Sequence, residues 1–168
     1  MIDSNYVKKQ EQNDRDILQA FNDDLNYFQE LTFTADKTRH DATAVDKKGR
    51  KVHIEIKQRE GKYKDFNEFK KKFNSCYLST DKIPWFQKIN TSGHTLNEQQ
   101  LFITIFDDGD TILLFNLLKE QPVEFQPNTR VWNPMKKQWQ YETNIGFLIE
   151  NALIFKKENG HYSKLNCK

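Results

Sequence analysis

Polar and apolar residues alternate in the segment 52–57, which has the sequence VHIEIK. Because side chains alternate faces along a β-strand, His53, Glu55 and Lys57 would share the face opposite three aliphatic residues. A second short apolar run follows Asp41, and the polar connection 46–51, which contains Gly49, joins the two runs as a hairpin. This hairpin would bring two acids and a lysine together at one end.

Asp41 and Glu55 would supply two carboxylates from neighbouring strands, and hard oxygen donors of this kind suit Mg²⁺ or Mn²⁺. The main-chain carbonyl of Ile56 is a further candidate ligand. Such a cation neutralises charge that develops on a phosphodiester and lowers the pKa of a bound water. The Lys57 ammonium would orient or activate that water, or stabilise the developing charge. The pattern therefore indicates metal-assisted chemistry on phosphate.

The same residues admit other interpretations. Glu55 and Lys57 could be a solvent-facing pair on an edge strand with Asp41 opening a turn, since short motifs of this kind arise by chance. His40, Asp41 and His53 could instead hold zinc, because histidine and carboxylate side chains are zinc ligands. His40 is also a candidate for phosphate contact and His53 for contact with substrate or metal. A strand histidine more often has only a structural hydrogen bond.

Recurring apolar residues predict the elements that must position this hairpin. A stripe at three- and four-residue steps predicts an amphipathic helix over Asn13–Phe28. The further predictions are strands at Leu31–Thr34, Gln100–Phe106 and Thr111–Phe115, besides the two hairpin strands, and a helix over Asp65–Ser75. The order is therefore α-β-β-β-α-β-β, an α/β fold with a mixed sheet flanked by helices.

The rest of the chain carries weaker patterns. Trp85–Ile89 could be a short helix or strand, and prolines favour extended or irregular structure over Lys119–Pro134. Val131–Tyr141 mixes aromatic with basic residues, and such mixtures can stack bases while gripping phosphates, although aromatic residues are more often packed in the interior. Ile145–Phe155 is apolar and could be a helix or a strand.

Charge is unevenly distributed along the sequence. The net charge is −4 over residues 1–30, +7 over residues 47–72 and −5 over residues 98–124. A basic segment beside two carboxylates would attract a polyanion, although a lysine-rich run alone is more often a solvated face. The candidate nucleic-acid contacts are Lys47, Lys48, Arg50, Lys51, Arg59, Lys62, Lys64, Lys70 and Lys71.

Composition favours a cytoplasmic globular protein. The chain has 168 residues, of which 36% are hydrophobic and 30% charged, a length that suits one domain. No apolar run approaches the roughly 20 residues that cross a bilayer, and residues 1–5 do not resemble a secretory signal. Cys76 and Cys167 are far apart in sequence, so we expect two unpaired thiols in a reducing compartment and no membrane partner.

Asp41, thirteen intervening residues and then Glu55-Ile56-Lys57, in this order of elements, resemble the PD-(D/E)XK nuclease superfamily, the restriction-endonuclease-like group. The family's name-giving proline is replaced by His40. The resemblance implies a restriction-endonuclease-like core and Mg²⁺-dependent hydrolysis of nucleic-acid phosphodiesters. Asp41 and Glu55 would be the metal ligands and Lys57 the catalytic lysine.

The resemblance covers about residues 13–116 and leaves residues 117–168 as a C-terminal extension of a single nuclease-like domain, 1–168. Gln58 stands where many members have a further polar residue. Many members also have an acid on the first helix, and Asp14, Asp16 and Asp24 are alternatives for it. The implied substrate is DNA, with a homodimer as one way to cut two strands. A nucleic-acid-binding protein with a degenerate, non-cleaving site is the alternative.

Overall fold

The structure of the protein is a computed structural model that describes residues 4–35, 40–80, 98–119, 122–133 and 136–165. Its helices are α1 (Ser4–Leu25) and α2 (Phe66–Lys72). Its strands are β1 (Gln29–Phe33), β2 (Ala42–Val45), β3 (Lys51–Gln58), β4 (Ser75–Ser79), β5 (Glu98–Phe106), β6 (Thr111–Asn116), β7 (Glu124–Asn133), β8 (Gln138–Leu148), β9 (Leu153–Glu158) and β10 (His161–Lys164). No described helix is long and apolar enough to cross a membrane.

Seven strands form the main sheet in the order β1-β2-β3-β5-β6-β9-β10. β3 pairs antiparallel with β2 on one side, with Ala42 opposite Ile54, and parallel with β5 on the other. The remaining pairs in this sheet are antiparallel. The strand 51–58 is therefore an interior strand, and the mixed α/β sheet that the sequence predicts is confirmed.

Helix α1 covers one face of the main sheet. Leu18 and Phe21 are fully buried against aliphatic side chains that alternate along the interior strands, among them Ile54 and Ile103. Phe21 also makes edge-to-face contacts with Phe155 of β9 and Tyr162 of β10, at centroid distances of 5.1 and 5.2 Å. This face contains the side chains at even positions of β3, so the odd positions face the other way.

Helix α2 and a second sheet, with strand order β4-β8-β7, cover the opposite face. Phe102 and Phe115 of the main sheet pack against Phe147 of β8, with centroid distances of 6.3 and 6.1 Å. Phe66 and Phe69 of α2 pack on Phe106. The odd-numbered residues of β3 thus point into a layered interior unless they lie near an end of the strand.

Several boundaries differ from the sequence prediction. α1 begins at Ser4, whereas the sequence predicts a start at Asn13. The first turns of the helix are polar and carry no apolar stripe, so the periodic pattern does not indicate them. Residues 75–79 form β4, whereas the sequence predicts a helix as far as Ser75 and no clear element directly after it. For residues 119–134 the sequence favours extended or irregular structure, and the described residues 124–133 form the strand β7. The segment 145–155 is not one element, since it contains the end of β8, a 3₁₀ turn and the start of β9.

Residues 153–164 add β9 and β10 to the main sheet, where β9 pairs with β6. Of the strands after residue 116, β9 and β10 therefore share the main sheet with the predicted core, whereas β7 and β8 belong to the second sheet. The single-domain organisation and its division near residue 117 stay predictions. Trp85–Ile89 and Cys167 lie outside the described residues, while Cys76 is buried and is not in a disulfide.

Candidate active site

Asp41 is fixed to the central strand by two hydrogen bonds. Its backbone N–H donates to the Ile54 carbonyl at 2.9 Å, and its carboxylate Oδ2 accepts from the Ile56 N–H at 2.7 Å. The second bond is charge-assisted, a class that is short and comparatively strong. The structure therefore places the Asp41 carboxylate against the 54–56 segment of β3, as the hairpin prediction requires.

Glu55 lies in β3 with only 7% of its surface exposed. Its neighbour across the parallel pair is Phe102, so one side of the carboxyl group is apolar. Three further buried polar residues lie on β3 and β5, namely His53, Gln100 and Thr104. Burial of a carboxylate is costly unless hydrogen bonds or a cation compensate it. A cation is one group that would do so here.

Asp14 is the acid of α1 that joins this region. Its Oδ1 is buried and has no hydrogen-bond partner among the residues that the structure describes. Burial, followed by the negative charges of Asp41, Glu60 and Glu11, raises the pKa of Asp14 to about 7. Its electrostatic contact with Asp41 shows that the helix brings a third carboxylate toward the hairpin.

The other two acids of α1 are placed elsewhere. Asp16 is exposed and accepts a hydrogen bond from Gln12 within the helix. Asp24 accepts from the Tyr162 backbone N–H and pairs with His161 of β10. Of the three alternatives that the sequence leaves open, Asp14 is the one beside Asp41.

The donor set fits a hard cation. The negative charges of Asp14 and Asp41 repel each other. A bound cation would reduce that repulsion and would offset the free-energy cost of burying the Glu55 carboxylate. Within the described residues, no three His, Cys, Asp or Glu side chains already surround one point at metal-binding distance. This holds for the zinc ligands predicted at His40, Asp41 and His53 as well as for Asp14, Asp41 and Glu55, so the metal and its ligands stay predictions.

Lys57 is exposed and lies two residues beyond Glu55 on the same face of β3. Gln58 is on the opposite face, toward α1, where its Oε1 accepts a hydrogen bond from Asn13 at 3.0 Å. The N–H of Ile56 is bound to Asp41. The catalytic roles of Lys57 and Gln58, and a metal role for the Ile56 carbonyl, stay predictions.

The two histidines pack together behind the acids. The His40 and His53 rings meet edge to face at 5.1 Å, and His53 Nε2 lies 3.3 Å from Glu98 Oε2. Burial lowers the pKa of His53, while the Glu98 carboxylate opposes that shift. The contact with Glu98 of β5 therefore orients the His53 ring through a hydrogen bond.

The predicted basic contacts form two groups. Lys47, Lys48 and Lys51 are exposed at the β2–β3 turn, about 20 Å along β3 from Lys57 by strand rise. Arg50, in the same turn, is paired with Asp46 at 2.7 Å. A nucleic-acid-binding role for this group stays a prediction.

The second basic group follows β3 on the 3₁₀ turn Gly61–Tyr63 and on α2. Lys62 and Lys72 lie over the Tyr63 ring, at 4.8 and 5.6 Å from its centroid. Their hydrogen bonds hold the pKa of Tyr63 below its ordinary value. The other predicted contacts here are Lys64, which pairs with Asp108, Lys71, which pairs with Glu68, and Lys70, which is exposed.

Arg59 has an interior position that the charge pattern did not indicate. Its guanidinium lies 5.3 Å from the Phe69 ring centroid and donates to the Tyr77 carbonyl at 3.4 Å. Burial lowers its pKa, and the neighbouring Cys76 opposes that shift. Arg59 therefore links the end of β3 to α2 and β4. Sequence alone contains no signal that separates this arginine from the exposed lysines around it.

The fold and these residues together define a mixed α/β protein in which Asp41 lies against β3, the strand that carries Glu55 and Lys57. No family model matches the chain, and no curated protein matches it. Among solved structures it is similar to Hjc of Archaeoglobus fulgidus, a Holliday junction resolvase from an archaeal hyperthermophile, with 15% sequence identity and a TM-score of 0.42. The match covers 80% of this chain and 95% of that chain. A likeness this distant assigns neither a reaction nor a substrate.

Proposed function

We propose that the protein is a metal-dependent nuclease that hydrolyses phosphodiester bonds of DNA in processing, repair, recombination or restriction. The observation that carries the proposal is the anchoring of the Asp41 carboxylate on the Ile56 N–H, between buried Glu55 and exposed Lys57. The negative charge of Asp41 contributes to the raised pKa of Asp14, so Asp14 is a candidate for a further carboxylate at the site. Two aligned strands thus present acids and an ammonium at one end of the sheet.

Asp41 and Glu55, with Asp14 beside them, would hold Mg²⁺ or Mn²⁺, which when bound supplies charge neutralisation and a water of lowered pKa. The hydrogen bond from the Ile56 N–H fixes the direction of the Asp41 carboxylate. Lys57 is accessible, so its ammonium can donate to a phosphate oxygen and stabilise negative charge that develops there. The lysines of the 3₁₀ turn and α2 would attract the phosphate backbone.

Cleavage assays test this proposal. Wild type, Lys57→Ala and the control Lys8→Ala, which removes an exposed lysine of α1, are incubated with supercoiled plasmid, single-stranded DNA and branched DNA. We expect cleavage with Mg²⁺ or Mn²⁺, none with EDTA, and a loss of about 10²-fold or more in Lys57→Ala. The control should cut like wild type. Equal rates for wild type and Lys57→Ala, or indifference to EDTA, would show that the proposal is wrong.

A nucleic-acid-binding protein that does not cut is the second candidate. The basic residues of the 3₁₀ turn and α2 suit this candidate as well, because they would attract nucleic acid with or without cleavage. The same assays separate the two functions, because this candidate retards DNA in a gel but leaves it intact with either metal. A homodimer and a cytoplasmic location belong to the proposal and would be checked by light scattering and by fractionation.

A further inference from the structure

The distal parts of β7 and β8 form a two-stranded arm. β8 pairs with β4 only over residues 144–148, whereas it pairs with β7 from Gly146 out to Gln138. Within the described part of the chain, residues 129–133 and 138–142 therefore pair only with each other. We call these residues the β-arm. A two-stranded ribbon buries little apolar surface by itself, so large side chains on it need another explanation.

Two aromatic side chains of the β-arm are strongly exposed. Trp139 is 54% exposed and Tyr141 is 70% exposed, the two largest fractions among the exposed large hydrophobic residues that the structure describes. They are two positions apart on β8, so they share one face of the ribbon. Neither belongs to either hydrophobic core. Neighbouring exposed aromatic side chains on one face indicate an interaction surface.

The charged residues near these rings and in the adjoining turn are basic, while Glu142, the acid of the β-arm, lies on the other face of β8 and accepts a hydrogen bond from Gln140. Arg130 is directly opposite Tyr141 in the strand register, and its guanidinium lies 4.5 Å from the Trp139 ring centroid. Lys136 and Lys137 are exposed in the turn. Residues 125–141 contain these three basic residues and no Asp or Glu. The partner of this surface should therefore be anionic and should offer flat apolar groups.

We propose that the β-arm binds single-stranded nucleic acid, with bases stacked at Trp139 and Tyr141 and phosphates held by Arg130, Lys136 and Lys137. Aromatic side chains interleaved with cations bind unpaired strands in this way, because every exposed base has a π-face. A duplex hides those faces in its stack. The inference rests on the proposed nuclease function. It adds that the substrate contains an unpaired segment.

A second copy of the chain is a less suitable occupant. β7 is the outer strand of the three-stranded sheet, yet Pro127 and a register shift between Gln126 and Thr129 interrupt its edge. Proline and irregular pairing are features that block edge-to-edge association. Two β-arms would also bring like charges together.

Fluorescence anisotropy with a labelled oligothymidylate and with a matched duplex tests the inference. The full chain is used in the Lys57→Ala form with EDTA, so that cleavage cannot occur. We expect the double variant Trp139→Ala/Tyr141→Ala to raise the Kd for the single strand about tenfold or more and to change duplex binding little. Lys136→Ala/Lys137→Ala should reduce the slope of log K against log salt by about 1.4.

Tyr6→Ala removes an exposed aromatic residue from α1, and Lys8→Ala/Lys9→Ala removes two exposed lysines there, so both should bind like the parent. Trp139→Phe/Tyr141→Phe keeps aromatic rings and should retain most of the affinity. Unchanged single-strand binding in the alanine variant overturns the inference, as does a loss that follows conversion of a dimer to a monomer in light scattering. Cleavage by wild type remains a separate readout, so failure of the β-arm and failure of the nuclease are distinguishable.

Discussion

Asp41 combines a structural and a chemical task in one carboxylate. One oxygen satisfies the Ile56 N–H, and the negative charge remains beside Glu55 and Asp14. A buried N–H left without an acceptor costs about 1–3 kcal/mol. Substitutions at this position can therefore separate the two tasks.

We expect Asp41→Asn to melt near the wild-type temperature, because the amide oxygen can still accept from the Ile56 N–H, while metal-dependent cleavage is lost. Asp41→Ala should lose cleavage and also be destabilised by about 1–3 kcal/mol. Thermal melts and plasmid cleavage measure the two effects. Retained activity in Asp41→Asn would remove this carboxylate from the metal site.

The sequence predicts Asp41, Glu55 and Lys57 as neighbours because strand alternation is a local rule. It cannot select Asp14, since Asp14 and Asp24 both flank the apolar stripe of the helix and only packing decides which one meets the hairpin. It also cannot show that Arg59 is half-buried, because its contacts depend on α2 and β4. Local periodicity thus predicts the site strands, and tertiary contacts determine their surroundings.

Helix α1 is held by the segment after β3, by β10 and by the packing of its apolar stripe on the sheet. Near its start Gln10 donates to Glu60, and near its end Asp24 binds β10. Because Asp14 is on the same helix, these attachments also position the third carboxylate. The stripe from Ile17 predicts the helix, whereas its polar first turns lack any such signal.

Asp24→Ala should lower the melting temperature by a few degrees near neutral pH. Hydrogen bonds from His161 and then from the Tyr162 N–H hold the pKa of Asp24 below its ordinary value of 3.8. A carboxyl group with a lowered pKa stabilises the fold above its unfolded pKa, and this contribution is lost as the pH falls through the folded pKa. The difference from wild type should therefore shrink below about pH 4 in a series of melts. A difference that grows on acidification would contradict this.

Phe21→Ala should destabilise the protein by about 3–5 kcal/mol, because the ring is fully buried against Phe155 and Tyr162. Chemical denaturation measures the change. Phe21→Leu is the matched variant and should lose less. A cost below 1 kcal/mol for the alanine variant would mean that α1 does not pack on the sheet in this way.

At the scale of the whole molecule, the main sheet joins distant parts of the sequence. β9 lies beside β6, and the Tyr162 hydroxyl donates to the Gly109 carbonyl at 2.6 Å. Gly109 has a φ of +109°, and a Cβ there would meet Ile17 of α1 at 3.1 Å. Helix α1, the turn between β5 and β6, and strand β10 therefore meet at Gly109. The sequence could not predict this pairing, because the apolar run 145–155 contains no information about which strand it joins.

A fragment that ends at residue 118 should not fold cooperatively, because β6 would lose β9 and Phe21 would lose both of its C-terminal partners. Circular dichroism melts and NMR dispersion of the fragment, compared with the full chain, check this. A cooperative melt for the fragment would establish residues 13–116 as an independent core.

The place of β9 and β10 in the sheet has a consequence for synthesis in the cell. A ribosome makes the strands that carry Asp41, Glu55 and Lys57 early and the strands 153–164 about a hundred residues later. Until those late strands arrive, α1 lacks the β10 contacts of Asp24 and the aromatic contacts of Phe21. In a nascent chain, Asp41 and Glu55 would therefore be present before helix α1 is packed stably on the sheet. The proposed site would be complete only after β9 and β10 have been translated.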